Sequence, residues 1–192
     1  MSLTYTSLTF EDMTDIRKPK ELYFSGIRIQ QTWTALFMLE DILNKEKDIR
    51  MIIELGTGSG ALSIFFGMHM HKRGWVHTVD TNEPCERFFS LSPSFNSILF
   101  YKEDIMNPNL ITMFKDYYHR ERCLVFCDAG EKELRVPQFK AYSEILKTND
   151  LILAHDYNNS IFAKDVEDPS LEPYRQEDFD SLKCWILSRR KK

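Results

Sequence analysis

The segment Arg50-Met-Ile-Ile-Glu-Leu55, running into Gly56-Thr-Gly-Ser-Gly60, constrains this chain more than any other stretch. A short apolar run halted by glycines at alternate positions reads as a strand feeding a tight turn. Ala61 to Lys72 then carries Leu62, Ile64, Phe65, Phe66 and Met68 at helical spacing, so the unit is strand, glycine turn, helix. Trp75–Val79 reads as a second strand ending at Asp80, and Ile98–Tyr101, Cys123–Cys127 and Leu151–Ala154 repeat the pattern. Helices are predicted over Leu110–Tyr118 and over Val136–Lys147, the latter with Pro137 in its first turn, where a missing N–H costs little. Strands alternating with helices need crossover connections, so the expected class is α/β: a doubly wound, mainly parallel sheet covered on both faces. Ligands of such sheets bind beyond the carboxyl ends of the strands.

The 192 residues suggest one domain, with no repeat or linker dividing them. It reads as an N-terminal helical segment (1–48), a cofactor-binding core (49–156), and a loop with a closing strand (157–192). In the first part, Gln30 to Asn44 is an amphipathic helix with Trp33, Leu36, Phe37, Leu39, Ile42 and Leu43 on one face. In the last, 157–174 has no clear period, and only Lys183–Leu187 remains for a strand. A formal net charge of −4 argues against nucleic acid as a general partner and leaves Arg189–Lys192 as the local basic cluster. The longest weakly polar run, Ala61–Met70, is about half the ~20 residues that cross a bilayer, and Met1–Phe10 lacks a basic region before an apolar one. The expectation is therefore a cytoplasmic protein without membrane contact. Cys123 and Cys127 lie in an apolar run and read as small core residues; no Cys-x-x-Cys pair occurs, so free thiols are expected. The Gln30–Asn44 helix is expected to pack beside the sheet or over the ligand; it and the aromatic Tyr5, Phe10, Tyr23, Phe24 segment either pair two chains or fold down on one, with a homodimer the favoured reading.

Glycines at 56, 58 and 60 let a backbone approach a ligand, while the following helix offers free N–H groups, so a nucleotide-like cofactor fits the turn. Asp80 ends the next strand 26 residues after Glu54, where a carboxylate accepts both hydroxyls of a ribose. The alternative is a turn needed only for tight helix–sheet packing. Dinucleotide sites use Gly-x-Gly-x-x-Gly, whereas Glu54-Leu-Gly-Thr-Gly-Ser-Gly60 resembles motif I of the Rossmann-like class I S-adenosylmethionine-dependent methyltransferases. That resemblance implies that Glu54, Gly56, Thr57, Gly58 and Gly60 line the methionine end of S-adenosyl-L-methionine. It places Asp80 at the ribose and Asp104-Ile105 at the adenine; a helix cap near Asn107-Pro108 is the other reading of Asp104.

Asp128 ends the fourth strand and His155-Asp156 the fifth, so in a parallel sheet their side chains converge. Two carboxylates with an imidazole suit Mg²⁺ or Mn²⁺; the alternative is loop capping by His155 and Asp156. Gly26-Ile-Arg-Ile-Gln-Gln31, Ile53-Glu-Leu-Gly-Thr-Gly58, Cys127-Asp-Ala-Gly-Glu-Lys132 and Ala154-His-Asp-Tyr157 resemble the rhamnosyl O-methyltransferase and cephalosporin hydroxylase family, over Phe24 to Tyr157. The likeness extends to catechol-type methyltransferases and implies a metal at Asp128 and Asp156 that grips an acceptor oxygen. His155 stands where that family often has a second carboxylate, and Tyr157 where the catechol-type enzymes have an asparagine. The implied activity is metal-assisted O-methylation of a small-molecule or sugar hydroxyl. Asp128 and Asp156 are its ligands, His155 a third ligand or base, and Lys132 a base if a dry pocket lowers its pKa. A non-catalytic S-adenosylmethionine-binding module and an NAD-dependent oxidoreductase are the competing readings.

Overall fold

A computed structural model describes residues 22–31, 33–117, 121–130, 132–155, 163–165, 168–177 and 184–189. The described residues begin with a hairpin, β1 (Leu22–Phe24) and β2 (Ile27–Ile29), closed by Ser25 and Gly26 at positive φ. Helix α1 (Trp33–Lys45), strand β3 (Ile49–Leu55), helix α2 (Ala61–Met70) and strand β4 (Trp75–Asp80) follow. Then come α3 (Glu86–Leu91), β5 (Ile98–Lys102), α4 (Pro108–Tyr117), β6 (Arg122–Cys127), α5 (Lys132–Ser143), β7 (Leu151–Ala154), β8 (Leu171–Glu177) and β9 (Cys184–Arg189).

Strands β3 to β9 form one sheet in the order β5-β4-β3-β6-β7-β9-β8, parallel from β5 to β7 and antiparallel at β9 and β8. Because side chains alternate along a strand, β3 sends Ile52 to one face and Met51 and Ile53 to the other. On the first face Leu39, Ile42 and Leu43 of α1 pack with Ile64 and Phe66 of α2 and Phe88 of α3. On the second, Phe114 of α4 and Phe139 and Tyr142 of α5 cover Val125 and Ile152. Residues with no exposed side, such as Leu124, Val125 and Ile152, explain why the central strands read as unbroken apolar runs. Cys123 and Cys127 sit in this second layer, and burial pushes both thiols up.

Three expectations need correction. The closing strand has a partner: Leu171–Glu177 pairs antiparallel with Cys184–Arg189, so the sheet ends in the antiparallel pair that the sequence seemed to lack. Pro173 and a register shift before Arg175 break the alternation that would have disclosed β8. The predicted helix at Val136 begins at Lys132 instead, which makes Pro137 an interior residue that forfeits one intrahelical bond. Finally, the described part of the N-terminal segment is a hairpin before it is a helix; the expected amphipathic helix is present as α1 and packs against the sheet as expected, leaving Phe37 63% exposed. No described helix is long and apolar enough to cross a membrane.

His77 of β4 is buried, with its Nδ1 2.9 Å from the Tyr101 hydroxyl on β5. Burial pushes its pKa down from 6.5 to about 4. The unfolded chain accepts a proton near pH 6.5 and the folded chain only near 4, so stability is whole above that window and falls as pH drops through it. At about 1.4 kcal/mol per pH unit the loss is roughly 3 kcal/mol. Urea midpoints should fall between pH 7 and pH 4, and less steeply in His77→Gln.

Candidate functional site

Strand order reverses at β3, with β4 on one side and β6 on the other, so a crevice opens beyond the carboxyl ends of β3 and β6. The glycine turn lies in it. Gly56, at φ +101, donates its N–H to the Val79 carbonyl at 2.9 Å, and a Cβ there would stand 2.9 Å from the Ala129 Cα. Gly60, at φ +89, starts α2; a Cβ would meet the Phe88 ring at 2.5 Å. These two positions require glycine on both conformational and steric grounds. Asp80 braces the same turn, accepting the Gly58 N–H on Oδ2 and the Asn82 N–H on Oδ1, each at 2.9 Å.

A cavity of about 590 Å³ fills the crevice. At one end lie Asp80, Thr81, Asp104 and Ile105, beyond β4 and β5; in the middle, Gly56 to Ser59; at the other end, Asp128, Arg135 and His155, beyond β6 and β7. Asp104 also accepts the Met106 N–H at 2.8 Å, so it serves the turn before α4 while facing the cavity. Glu54 belongs to the wall although none of its surface is exposed. Its Oε2 accepts from Ser63, its Oε1 has no partner among the described residues, and burial, with smaller effects from Asp128 and Asp80, raises its pKa from 4.5 to about 8. The Ser63 and Thr78 hydroxyls oppose that rise. A buried carboxyl with one unpartnered oxygen fits a ligand ammonium, which would supply both the missing donor and the compensating charge. The residues present therefore fit S-adenosylmethionine: Asp80 for hydroxyls, glycine N–H groups for backbone contact, Glu54 for an amino group.

A divalent ion does not fit the described residues as they stand. Asp128 Oδ2 accepts the Gln31 amide N–H at 2.7 Å, and Oδ1 accepts from Arg135 at 2.9 Å. His155 Nδ1 also lies 3.0 Å from Oδ1. Among the described residues no group of three His, Cys, Asp or Glu side chains gathers to hold a metal. Asp156, the expected second carboxylate, lies outside the described residues, and so does the side chain of Lys132, which opens α5. The metal expectation at Asp128 and His155 thus meets a carboxylate already matched by a guanidinium.

Glu54, Gly56, Thr57, Gly58, Asp80, Asp104, Ile105, Asp128 and His155 all line one cavity. Gln31, Leu134 and Arg135 line it too and were missed. Gln31 carried a signal, since it ends the Gly26–Gln31 stretch quoted for the family resemblance. Arg135 carried one only in retrospect: it lies one helical turn into α5, and helical side chains lean toward the N-terminus, here back over Asp128.

No family model and no curated protein matches the chain. Solved structures do. A fibrillarin/Nop5p complex aligns at a TM-score of 0.59 and 16% identity, covering 90% of this chain and 88% of that one. An rRNA methylase from Streptococcus thermophilus aligns at 0.54 and 15%, covering 82% and 97%. The Escherichia coli protein yhhF aligns at 0.62 and 10%, covering 85% and 90%. At these identities the likeness establishes a shared fold: a mostly parallel central sheet with flanking helices, as in Rossmann-like methyltransferases.

Proposed function

We propose that this protein is an S-adenosylmethionine-dependent methyltransferase acting on a small acceptor. The observation that carries the reading is the cavity at the strand-order reversal, which unites the glycine turn, Asp80 and the unpartnered Glu54 oxygen. S-adenosylmethionine supplies an activated methyl group, so the protein's task is to align an acceptor and receive its proton. Asp80 and the turn hold the nucleoside end, Glu54 the amino group, and the Asp128 end of the cavity is left for the acceptor. His155 is the group there suited to take a proton, and a hydroxyl or amine is the acceptor chemistry that needs one. A sugar hydroxyl rests on the likeness to rhamnosyl O-methyltransferases alone. Two similar structures carry the name of an rRNA methylase, but a net charge of −4 favours a small acceptor over a polyanion.

Calorimetric titration with S-adenosylhomocysteine, S-adenosylmethionine and NAD tests this reading. The first two should bind and NAD should not. Because Glu54 is protonated in the free protein below about pH 8 and ionised beside an ammonium, binding should release a proton and tighten as pH rises from 6 towards 8. Heats that vary with buffer ionisation enthalpy report that proton. Tight NAD binding without S-adenosylhomocysteine binding would replace the methyltransferase with an oxidoreductase; binding without turnover on any acceptor would leave a cofactor-binding module.

A further inference from the structure

Asp128 ends the strand at the acceptor end of the cavity, and its surroundings come from three parts of the chain. Gly130, at φ +71, turns the backbone into α5, whose first turn returns Arg135 over the strand end. Gln31, 97 residues away in sequence, arrives from the exit of the β1–β2 hairpin. His155 comes from the end of β7. Both carboxylate oxygens are engaged: Oδ1 by Arg135 at 2.9 Å, with His155 Nδ1 3.0 Å from the same atom, and Oδ2 by Gln31 at 2.7 Å. The amide orientation of Gln31 is fixed by chemistry, because an ionised carboxylate only accepts and the NH₂ must therefore face it.

We propose that Arg135 and Gln31 lock Asp128 as an internally neutralised positioning carboxylate, and that this acceptor site consequently works without a divalent cation. The inference rests on the methyltransferase reading for its meaning but not for its geometry. The Arg135 and Asp128 side chains are 12% and 18% exposed, so the pair is largely withdrawn from water and its charges are felt at low screening. A guanidinium does not lose its proton at any ordinary pH, so it does not step aside as a histidine would. Mg²⁺ requires carboxylate oxygens at about 2.0–2.1 Å in near-octahedral order, and Mn²⁺ prefers the same hard ligands. To reach Oδ1 such an ion must displace Arg135 while enduring its positive charge; to reach Oδ2 it must displace an amide donor and still face that charge. Gln31 in turn ties the acceptor end to the N-terminal hairpin, so the same contact that occupies the carboxylate also holds the hairpin against the cavity.

The test is a titration of the full chain with MnCl₂, alone and with saturating S-adenosylhomocysteine, beside ¹⁵N spectra of the arginine side chains. The expected result is no one-to-one Mn²⁺ uptake up to millimolar concentration, and S-adenosylhomocysteine affinity unchanged within twofold by a chelator. The Arg135 guanidinium should show separate, slowly rotating nitrogen signals that collapse to an average in Asp128→Asn; Gln31→Glu should loosen them too, by setting a second carboxylate against the first. One-to-one Mn²⁺ binding abolished by Asp128→Asn would overturn the proposal, as would a freely rotating Arg135 in the wild type. Should Asp128→Asn fail to fold, Arg135→Lys serves, because a point charge cannot give the guanidinium signal and the Mn²⁺ result is read directly. Failure of S-adenosylhomocysteine to bind, with Mn²⁺ still excluded, would reject the methyltransferase reading and leave the locked carboxylate standing.

Discussion

Gly56→Ala should destabilise the protein by about 2–5 kcal/mol, through left-handed backbone strain of ~1–2 kcal/mol and overpacking of ~1–3 kcal/mol. Gly56 has φ +101, and its new methyl would stand 2.9 Å from backbone, the Ala129 Cα, which has no rotamer by which to retreat. The Asp128 N–H bonds the Leu55 carbonyl at 3.1 Å, so moving Ala129 away also pulls on the end of β6 and on Asp128 itself. Denaturant unfolding measures the first effect and S-adenosylhomocysteine titration of the still-folded variant the second. A loss below about 1 kcal/mol with full affinity would show that the loop after β6 yields freely, contrary to the close approach of Ala129 to Gly56.

Asp80→Ala should weaken S-adenosylhomocysteine binding by the ~1.5–3 kcal/mol typical of charged hydrogen bonds, roughly 10- to 150-fold. Asp80 plays two parts: it presents a carboxylate to the cavity and it accepts the Gly58 and Asn82 N–H groups. Asp80→Asn separates them, since its remaining carbonyl oxygen can still brace one N–H while the charge is gone. If affinity survives in Asn but not Ala, bracing of the turn dominates; if both lose it equally, the charge does. Unchanged affinity in the alanine variant would remove Asp80 from the ligand. Far-ultraviolet circular dichroism should stay that of the wild type, because Asp80 lies at the end of its strand and outside both apolar layers.

The central half of the sheet was legible because burial on both faces leaves a plain trace: short, almost wholly apolar runs stopped by a glycine or a polar side chain, as in Met51–Leu55 before Gly56 and Leu151–Ala154 before His155. The periphery was not. The hairpin strands are three residues each, too short to show a period, and α3 at Glu86–Leu91 is a turn and a half with Phe88 and Leu91 alone turned inward. Likewise β8 carries Glu172, Pro173 and Arg175, the composition of an edge. At the site, residues that act through the backbone turn or a strand end announced themselves; those that act from afar did not. Asp128 was visible as an acid closing an apolar run, whereas its neutralisation by Arg135 depends on where α5 starts, which Pro137 disguised.

The antiparallel end of the sheet has an order that the chain does not: β9, made after β8, lies between β7 and β8. Among the described residues strand β8 has no sheet neighbour but β9, so it reaches the rest of the sheet only through the later segment. The two are therefore expected to detach together as one unit. When that unit opens, β7 is left as the margin of the sheet, a strand whose four residues are wholly apolar and buried. Such a bare margin is a template for pairing with another chain, so the outer hairpin protects against aggregation as much as it completes the fold. It also guards the strand that delivers His155 to the cavity, linking the integrity of the sheet's far rim to the chemistry at its centre.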